Sequence, residues 1–376
     1  MKILQIHNSY NYYGGEDSVV DEEKNLLEKN GHEVIQLFRD NKKELITLKD
    51  KFEALKNLSY SEYSIKLLSQ KLLEIGNPDI VHIHNTFPLW TYSIFKFLHE
   101  KQIPIIMTLH NYRLVWDTLK LFDKNYLNYG CFKNSQIKTF LISKIINKNK
   151  KLLNNVNKFI TLTEFTRGQF IRAGISKERL AVKPNFLPKK KIILQNIENK
   201  NNAIFASRIS EEKGITTLIN AWNEVDLKIN IFGDGPLLAG FKKDQINIQF
   251  HGNCPRDAVN EEIKKSKFLI FPSEWYECMP MTILEAFREG TLVLASNIGS
   301  IKCIIKDNYN GILFNPKDTK DIQNKVNWVL NNPQKCNEIC SNALNDFNMN
   351  YTEEINYKML MNIYNEAISK CKIKQP

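Results

Sequence analysis

No stretch of this 376-residue chain reaches the roughly 18 consecutive apolar residues that a membrane-spanning helix needs. Its seven cysteines include no Cys-x-x-Cys pair. Cys336 and Cys340 fall on one helix face, but two thiols alone make no zinc site. Reduced, mostly buried thiols and a cytoplasmic protein are the expectation. The opening residues, MKILQIHNSYNYYGGED, turn polar within eight positions and read as a first β-strand rather than a signal peptide. No short repeat or low-complexity block is present. Acidic residues are absent from residues 124–163, where eight lysines fall.

What is there alternates. Apolar strand-like runs at 2–7, 32–38, 79–84, 104–110 and 158–163 are separated by helical patterns, the first from about Asp17 to Asn30 and closed by Gly31. The alternation restarts after residue 200, with runs at 203–207, 228–233, 248–252, 267–272 and 291–296. Short buried strands between helices imply βαβ units and parallel sheets. The expected fold class is α/β, with two Rossmann-like doubly wound domains facing across a cleft. An N-terminal domain is expected over 1–185 and a C-terminal one over 200–354, with a Pro-, Lys- and Asn-rich linker at 186–199. A final helix near 355–376, with Tyr357, Leu360, Ile363 and Tyr364 on one face, is expected to pack back onto the N-terminal domain.

The net charge of +11 admits an acidic partner. Within the acid-free stretch, FLISKIINKNKKLLNNVNKF alternates apolar and basic positions at roughly helical spacing. Over 133–158 this describes either a solvated helix face or a peripheral contact with an anionic membrane at its inner face. No helix-turn-helix, RNA-binding or zinc-finger signature accompanies the charge, so nucleic acid is not expected as a partner.

The chemistry concentrates in FPSEWYECMPMTILEAFREG (271–290). A strand ends at Pro272, a loop carries Glu277, and Pro280 suits the first turn of a helix that holds Glu285 and closes at Gly290. A helix N-terminus beyond a strand end offers free N–H groups and partial positive charge, which fit a diphosphate. Arg208 and Lys213, five apart after a strand end, fit the same anion; the alternative is a surface ion pair with Glu211 or Glu212. Gly233-Asp234-Gly235-Pro236 is a tight turn after a strand. Gly14 and Gly15 permit close backbone approach before Glu16 and Asp17 start a helix. His110 ends a strand. His82 and His84 point to one face of theirs, without an evident third metal ligand, so no zinc site is expected and a structural or acceptor-side role is assigned to His84.

In this order, YYGGEDSVV (12–20), FASRISEEKG (205–214), GDGP and the 271–290 segment resemble the family 4 glycosyltransferases, a retaining family of GT-B fold. The resemblance covers almost the whole chain. It implies transfer of a sugar from a nucleoside-diphosphate sugar to a hydroxyl of a glycan or lipid-linked acceptor, in the manner of cell-envelope polysaccharide biosynthesis. Glu277, His110, Arg208 and Lys213 are then the catalytic set. The donor is bound by Gly15, Arg208, Lys213, Gly233, Glu277, Met279, Pro280, Met281, Thr282 and Glu285, with Glu285 on the ribose and Glu277 on the transferred sugar. Lys183 and Asn185 resemble the family's interdomain segment. His110 stands where the family places a histidine near that sugar, the alternative being a histidine that caps a turn. The resemblance also implies no cofactor and no metal: there is no Asp-x-Asp motif, and fixed cations would stabilise the leaving diphosphate. One departure is Cys303, where the family commonly has a glutamate, which leaves a nucleotide contact unassigned. Other GT-B chemistry, a sugar-nucleotide 2-epimerase or a phosphorylase, is the enzymatic alternative.

Overall fold

In a computed structural model, residues 1–9, 14–58, 60–115, 150–241 and 246–372 are described. The chain divides into two compact units, Met1–Pro184 with Asn356–Pro376, and Asn185–Ile355.

The first unit is built on a six-stranded sheet: β1 (Lys2–Ser9), β2 (Glu33–Asp40), β3 (Ile80–Ile83), β4 (Ile105–Thr108), β5 (Lys158–Thr161) and β6 (Leu180–Val182). The order is β2-β1-β3-β4-β5-β6, with neighbouring strands parallel. Helices connect parallel strands and cover both sheet faces, so β3, β4 and β5 are buried along their length and read as continuous rather than alternating apolar runs. The order reverses between β1 and β3. In open α/β sheets such a switch point opens a crevice beyond the carboxyl ends of the strands, and His7 and His84 lie there.

Helix α1 (Gly15–Lys29) follows β1. It starts two residues before Asp17, because Asp17 reaches back and accepts from the Gly14 N–H at 2.9 Å, satisfying one of the helix's first donors. Gly31 then turns with φ +81°. The C-terminal helix α10 (Glu353–Lys372) lies on this first sheet: Leu360, Ile363, Tyr364 and Ala367 pack with Ile3, Ile80 and Ile106.

The second sheet contains β7 (Asn202–Ala206), β8 (Lys228–Phe232), β9 (Ile248–Gly252), β10 (Phe268–Phe271), β11 (Leu292–Ser296) and β12 (Ile312–Phe314), in the parallel order β12-β11-β10-β7-β8-β9. Its switch point lies between β7 and β10. The loop after β7 carries Arg208 and Lys213, and the loop after β10 carries Glu277. Residues 186–199 belong to this unit: Leu187 bridges to Thr352 and Ile197 joins the buried core with Phe205, Trp222 and Phe268.

The basic segment 133–158 lies outside the described residues as far as residue 149. Its remainder is not an α-helical face. Lys150–Asn155 is a 3-10 turn, and Lys158 heads β5 with its ammonium 2.6 Å from Glu366. That strand, paired to β4, is the one expected over 158–163. No disulfide joins the described cysteines, and half of them are buried: Cys278, Cys336 and Cys340.

Candidate active site

Turn geometry assembles the second unit's site. Gly214 sits at φ +70°, and a Cβ there would come 1.9 Å from the Pro272 carbonyl oxygen. Gly233, at φ +132°, would meet the Ser207 carbonyl oxygen at the same distance. Both positions therefore require glycine, and both close the loops after β7, β8 and β10 onto one another. The Ile209 N–H donates to the Asp234 carbonyl at 3.0 Å, so the GDGP turn packs on the Arg208 loop.

Within this frame the two cations have carboxylate partners. Lys213 donates from Nζ to Oε1 of Glu277 at 2.6 Å, and Ser273 donates to the same oxygen at 2.8 Å. Arg208, exposed, pairs with Glu212. Burial opposes ionisation of Glu212, but the Ser210 hydroxyl and the Arg208 guanidinium bring its carboxyl down to about 2. The ion-pair alternative thus describes Arg208, while Lys213 joins the Glu277 loop.

Helix α7 (Met281–Arg288) begins one residue later than the proline pattern implied: Pro280 is its N-cap, not its first helical residue. Proline offers no side-chain cap, so this terminus keeps its orphan N–H groups and positive end. Thr282 Oγ1 donates to the Ala206 carbonyl at 3.3 Å, tying the helix start to the end of β7. Met279 is buried and accepts from the Asn185 N–H at 3.1 Å. Met281 is half-buried. Glu285, buried in the second turn, accepts from Arg256 Nε at 2.8 Å. Arg256 begins helix α6 (Arg256–Lys265) and was not a sequence candidate, because nothing in its spacing ties it to Glu285. Cys303 is exposed.

The first unit gathers a buried polar cluster at its own switch point. Gly15 opens α1, and Asp17 accepts from His7 Nε2 at 2.9 Å. One turn and a half further, Glu23 is buried beneath the sheet's carboxyl end. Its Oε1 lies 2.8 Å from His82 Nδ1 and 3.4 Å from His84 Nε2, and its Oε2 lies 3.3 Å from Lys183 Nζ. His82 also contacts the Tyr364 hydroxyl at 2.8 Å and Thr108 Oγ1 at 2.7 Å. Lys183 donates to Asn356 Oδ1 at 3.0 Å. His84 Nδ1 is 3.1 Å from His110 Nε2, with the rings stacked.

Glu23 is thus a third potential metal ligand beside His82 and His84, the donor atoms lying within 4.8 Å of one another. The sequence did not reveal it, since Glu23 comes from a helix 59 positions before His82. A divalent ion there would face the Lys183 ammonium, which suits a charge-compensated hydrogen-bond network better than a metal site. Burial raises the cost of the Glu23 charge, yet His82 and Lys183 hold its carboxyl well below the usual range. Burial and the neighbouring His82 lower His84 to about 3, and burial and His84 hold His110 well below the ordinary histidine value, so both rings are neutral near pH 7.

Tandem doubly wound sheets, each with a polar site at its switch point, define a two-domain α/β architecture. Residues 13–190 match the family model described as Glycosyltransferase Family 4, and residues 188–346 match that of Glycosyl transferases group 1. The chain belongs to the family 4 glycosyltransferases, with the GT-B fold. A glycosyltransferase of Methanocaldococcus jannaschii is 25% identical over 74% of this chain and 73% of its own length. A protein of the Klebsiella pneumoniae cps region is 24% identical over 76% of this chain and 80% of its own. Among solved structures, Anabaena HepE in complex with UDP and glucose aligns at TM-score 0.68, 17% identity, over 96% of this chain and 99% of that one. Sucrose-phosphate synthase from Thermosynechococcus elongatus aligns at TM-score 0.75, 14% identity, over 98% and 99%.

Proposed function

We propose that this glycosyltransferase moves a hexosyl group from a nucleoside-diphosphate sugar to a hydroxyl of a glycan or lipid-linked acceptor, with retention at the anomeric carbon and without a metal. The observation that carries this reading is the Lys213–Glu277 pair at the mouth of the second sheet, beside the uncapped N-terminus of α7. A diphosphate seated at that terminus meets the helix's N–H groups and two basic side chains, Lys213 and Arg208. Those cations stabilise charge as it grows on the departing phosphate, the work a divalent ion does elsewhere. Glu277, drawn to the same point by Lys213 and Ser273, contacts the transferred sugar. Glu285 takes the ribose hydroxyls, with Arg256 holding its carboxylate. Gly233 lets the GDGP backbone approach the nucleotide, and Met279, Pro280, Met281 and Thr282 line the donor. In the first unit, Gly15 is the proposed donor contact and His110 the proposed histidine near the transferred sugar.

Nucleotide-sugar use is supported by HepE, whose structure holds UDP and glucose. A role in envelope polysaccharide synthesis is supported by the relatives: one is encoded in a cps region and another is an exopolysaccharide phosphotransferase. Among the described residues no helix is long and apolar enough to cross a membrane. A peripheral contact through 133–158 is part of the proposal, on charge alone.

A panel of nucleoside-diphosphate sugars, screened by thermal shift and then by turnover with and without chelator, tests this. One donor should stabilise the protein and yield a product of retained configuration by NMR, at a rate unchanged by chelator. Turnover abolished by chelator refutes metal independence, an inverted product refutes retention, and no response to any donor refutes the nucleotide-sugar site.

A further inference from the structure

Nε2 of His84 is buried 3.4 Å from Oε1 of Glu23, an oxygen that also lies 2.8 Å from His82 Nδ1, and no other described side chain stands closer to Nε2 in a hydrogen bond. That pairing fixes a proton. A lone pair on Nε2 this close to a carboxylate oxygen would be repulsive, whereas an N–H there is attractive; in a buried site nothing else relieves the repulsion. His84 therefore carries its single proton on Nε2, and its Nδ1 is an acceptor. The group in front of Nδ1 is His110 Nε2, at 3.1 Å. Two neutral imidazoles in contact need one donor and one acceptor, so His110 supplies the N–H. Its remaining nitrogen, Nδ1, is left as a bare lone pair with no partner among the described residues.

We propose that Glu23 is a positioning residue which, acting through His84, holds His110 in its Nε2–H form and keeps Nδ1 an acceptor. The consequence is chemical selectivity: such a ring takes a hydrogen bond from a hydroxyl and repels a phosphate oxygen, so His110 addresses an O–H group rather than the leaving diphosphate. The carboxylate is itself locked. His82 and Lys183 fix its two oxygens, and His82 is held in turn by Tyr364 and Thr108. Burial keeps both His84 and His110 neutral, as the one-proton-each arrangement requires. The logic is that of a carboxylate that sets the tautomer of a working histidine. The consequence for catalysis rests on the reading above that His110 works at the transferred sugar; the tautomer assignment does not.

Long-range proton–nitrogen NMR on the full chain with ¹⁵N-labelled histidine reads each ring's tautomer, and His110→Ala and His84→Ala assign the signals. The expected result is His110 as Nε2–H. Glu23→Gln, whose amide can donate to His84, should move His110 toward Nδ1–H and lower kcat by about tenfold or more with KM little changed, the scale of one hydrogen bond. A second pair covers the case in which that variant does not fold. His84→Gln keeps one donor and one acceptor, and should keep the tautomer and most of kcat; His84→Ala should lose both. A native His110 found as Nδ1–H overturns the proposal, and so does a His84→Ala variant that keeps the native tautomer and kcat. Unchanged turnover in His110→Ala would instead refute the placement of His110 at the sugar, leaving the tautomer result to stand separately.

Discussion

Nζ of Lys213 and Oε1 of Glu277 lie 2.6 Å apart, joining the loop after β7 to the loop after β10 across 64 positions of sequence. Ser273 adds a second donor to the same carboxylate oxygen. The pair sets a cation and an anion side by side at the sheet's switch point, one suited to a phosphate and the other to sugar hydroxyls.

Glu277→Ala should lower kcat by at least about a hundredfold, because in the proposed function its carboxylate hydrogen-bonds the reacting sugar. Nucleotide affinity by calorimetry should change little. Unchanged turnover would remove Glu277 from the site.

Arg208→Ala and Lys213→Ala should each weaken nucleotide binding by roughly tenfold to a hundredfold, the range of one charge-assisted hydrogen bond. The loss should be larger for the diphosphate than for the nucleoside. Equal affinities for wild type and the double variant would refute both assignments.

Gly233→Ala should lower stability by on the order of 2 kcal/mol, since its φ of +132° disfavours any side chain and the new Cβ would meet the Ser207 carbonyl oxygen at 1.9 Å. Urea unfolding measures the change. Gly240→Ala is the control, with open space around its added Cβ.

Glu212 links stability to acid. Its folded pKa of about 2 lies below the ordinary 4.5, so its contribution is complete above pH 4.5 and disappears as pH falls toward 2. In Glu212→Gln, stability at pH 7 should fall, and the further loss between pH 4.5 and 2 should be smaller than in wild type. Parallel stability curves for the two proteins would contradict this.

Much of the architecture was legible in the sequence for a simple reason. A parallel strand buried on both faces must be apolar throughout, and its crossover helix must show a 3.6-residue period, so the βαβ alternation and the strand–loop–helix setting of Glu277 and Glu285 are written locally. The family resemblance rested on the same local motifs. The short strand β6 and the position of Pro280 as cap rather than first helical residue were less legible, since boundaries depend on which N–H groups find partners. In the described end of the basic run, helical spacing was present but Lys150–Asn155 forms only a 3-10 turn before the expected strand begins.

The site's partners were not written locally at all. Period-two alternation puts His82 and His84 on one side of β3, but it does not say which helix lies over them. Only the packing of α1 on the first sheet brings Glu23 there, and only the docking of α10 brings Tyr364, 282 positions away, to His82. The same holds for Arg256 against Glu285. Sequence determined the chemical inventory and the elements that carry it, because these follow from residue type and short-range period. Tertiary structure decided which charge meets which, because a buried carboxylate takes its partners from whatever elements the core presses against it, wherever they lie in the chain.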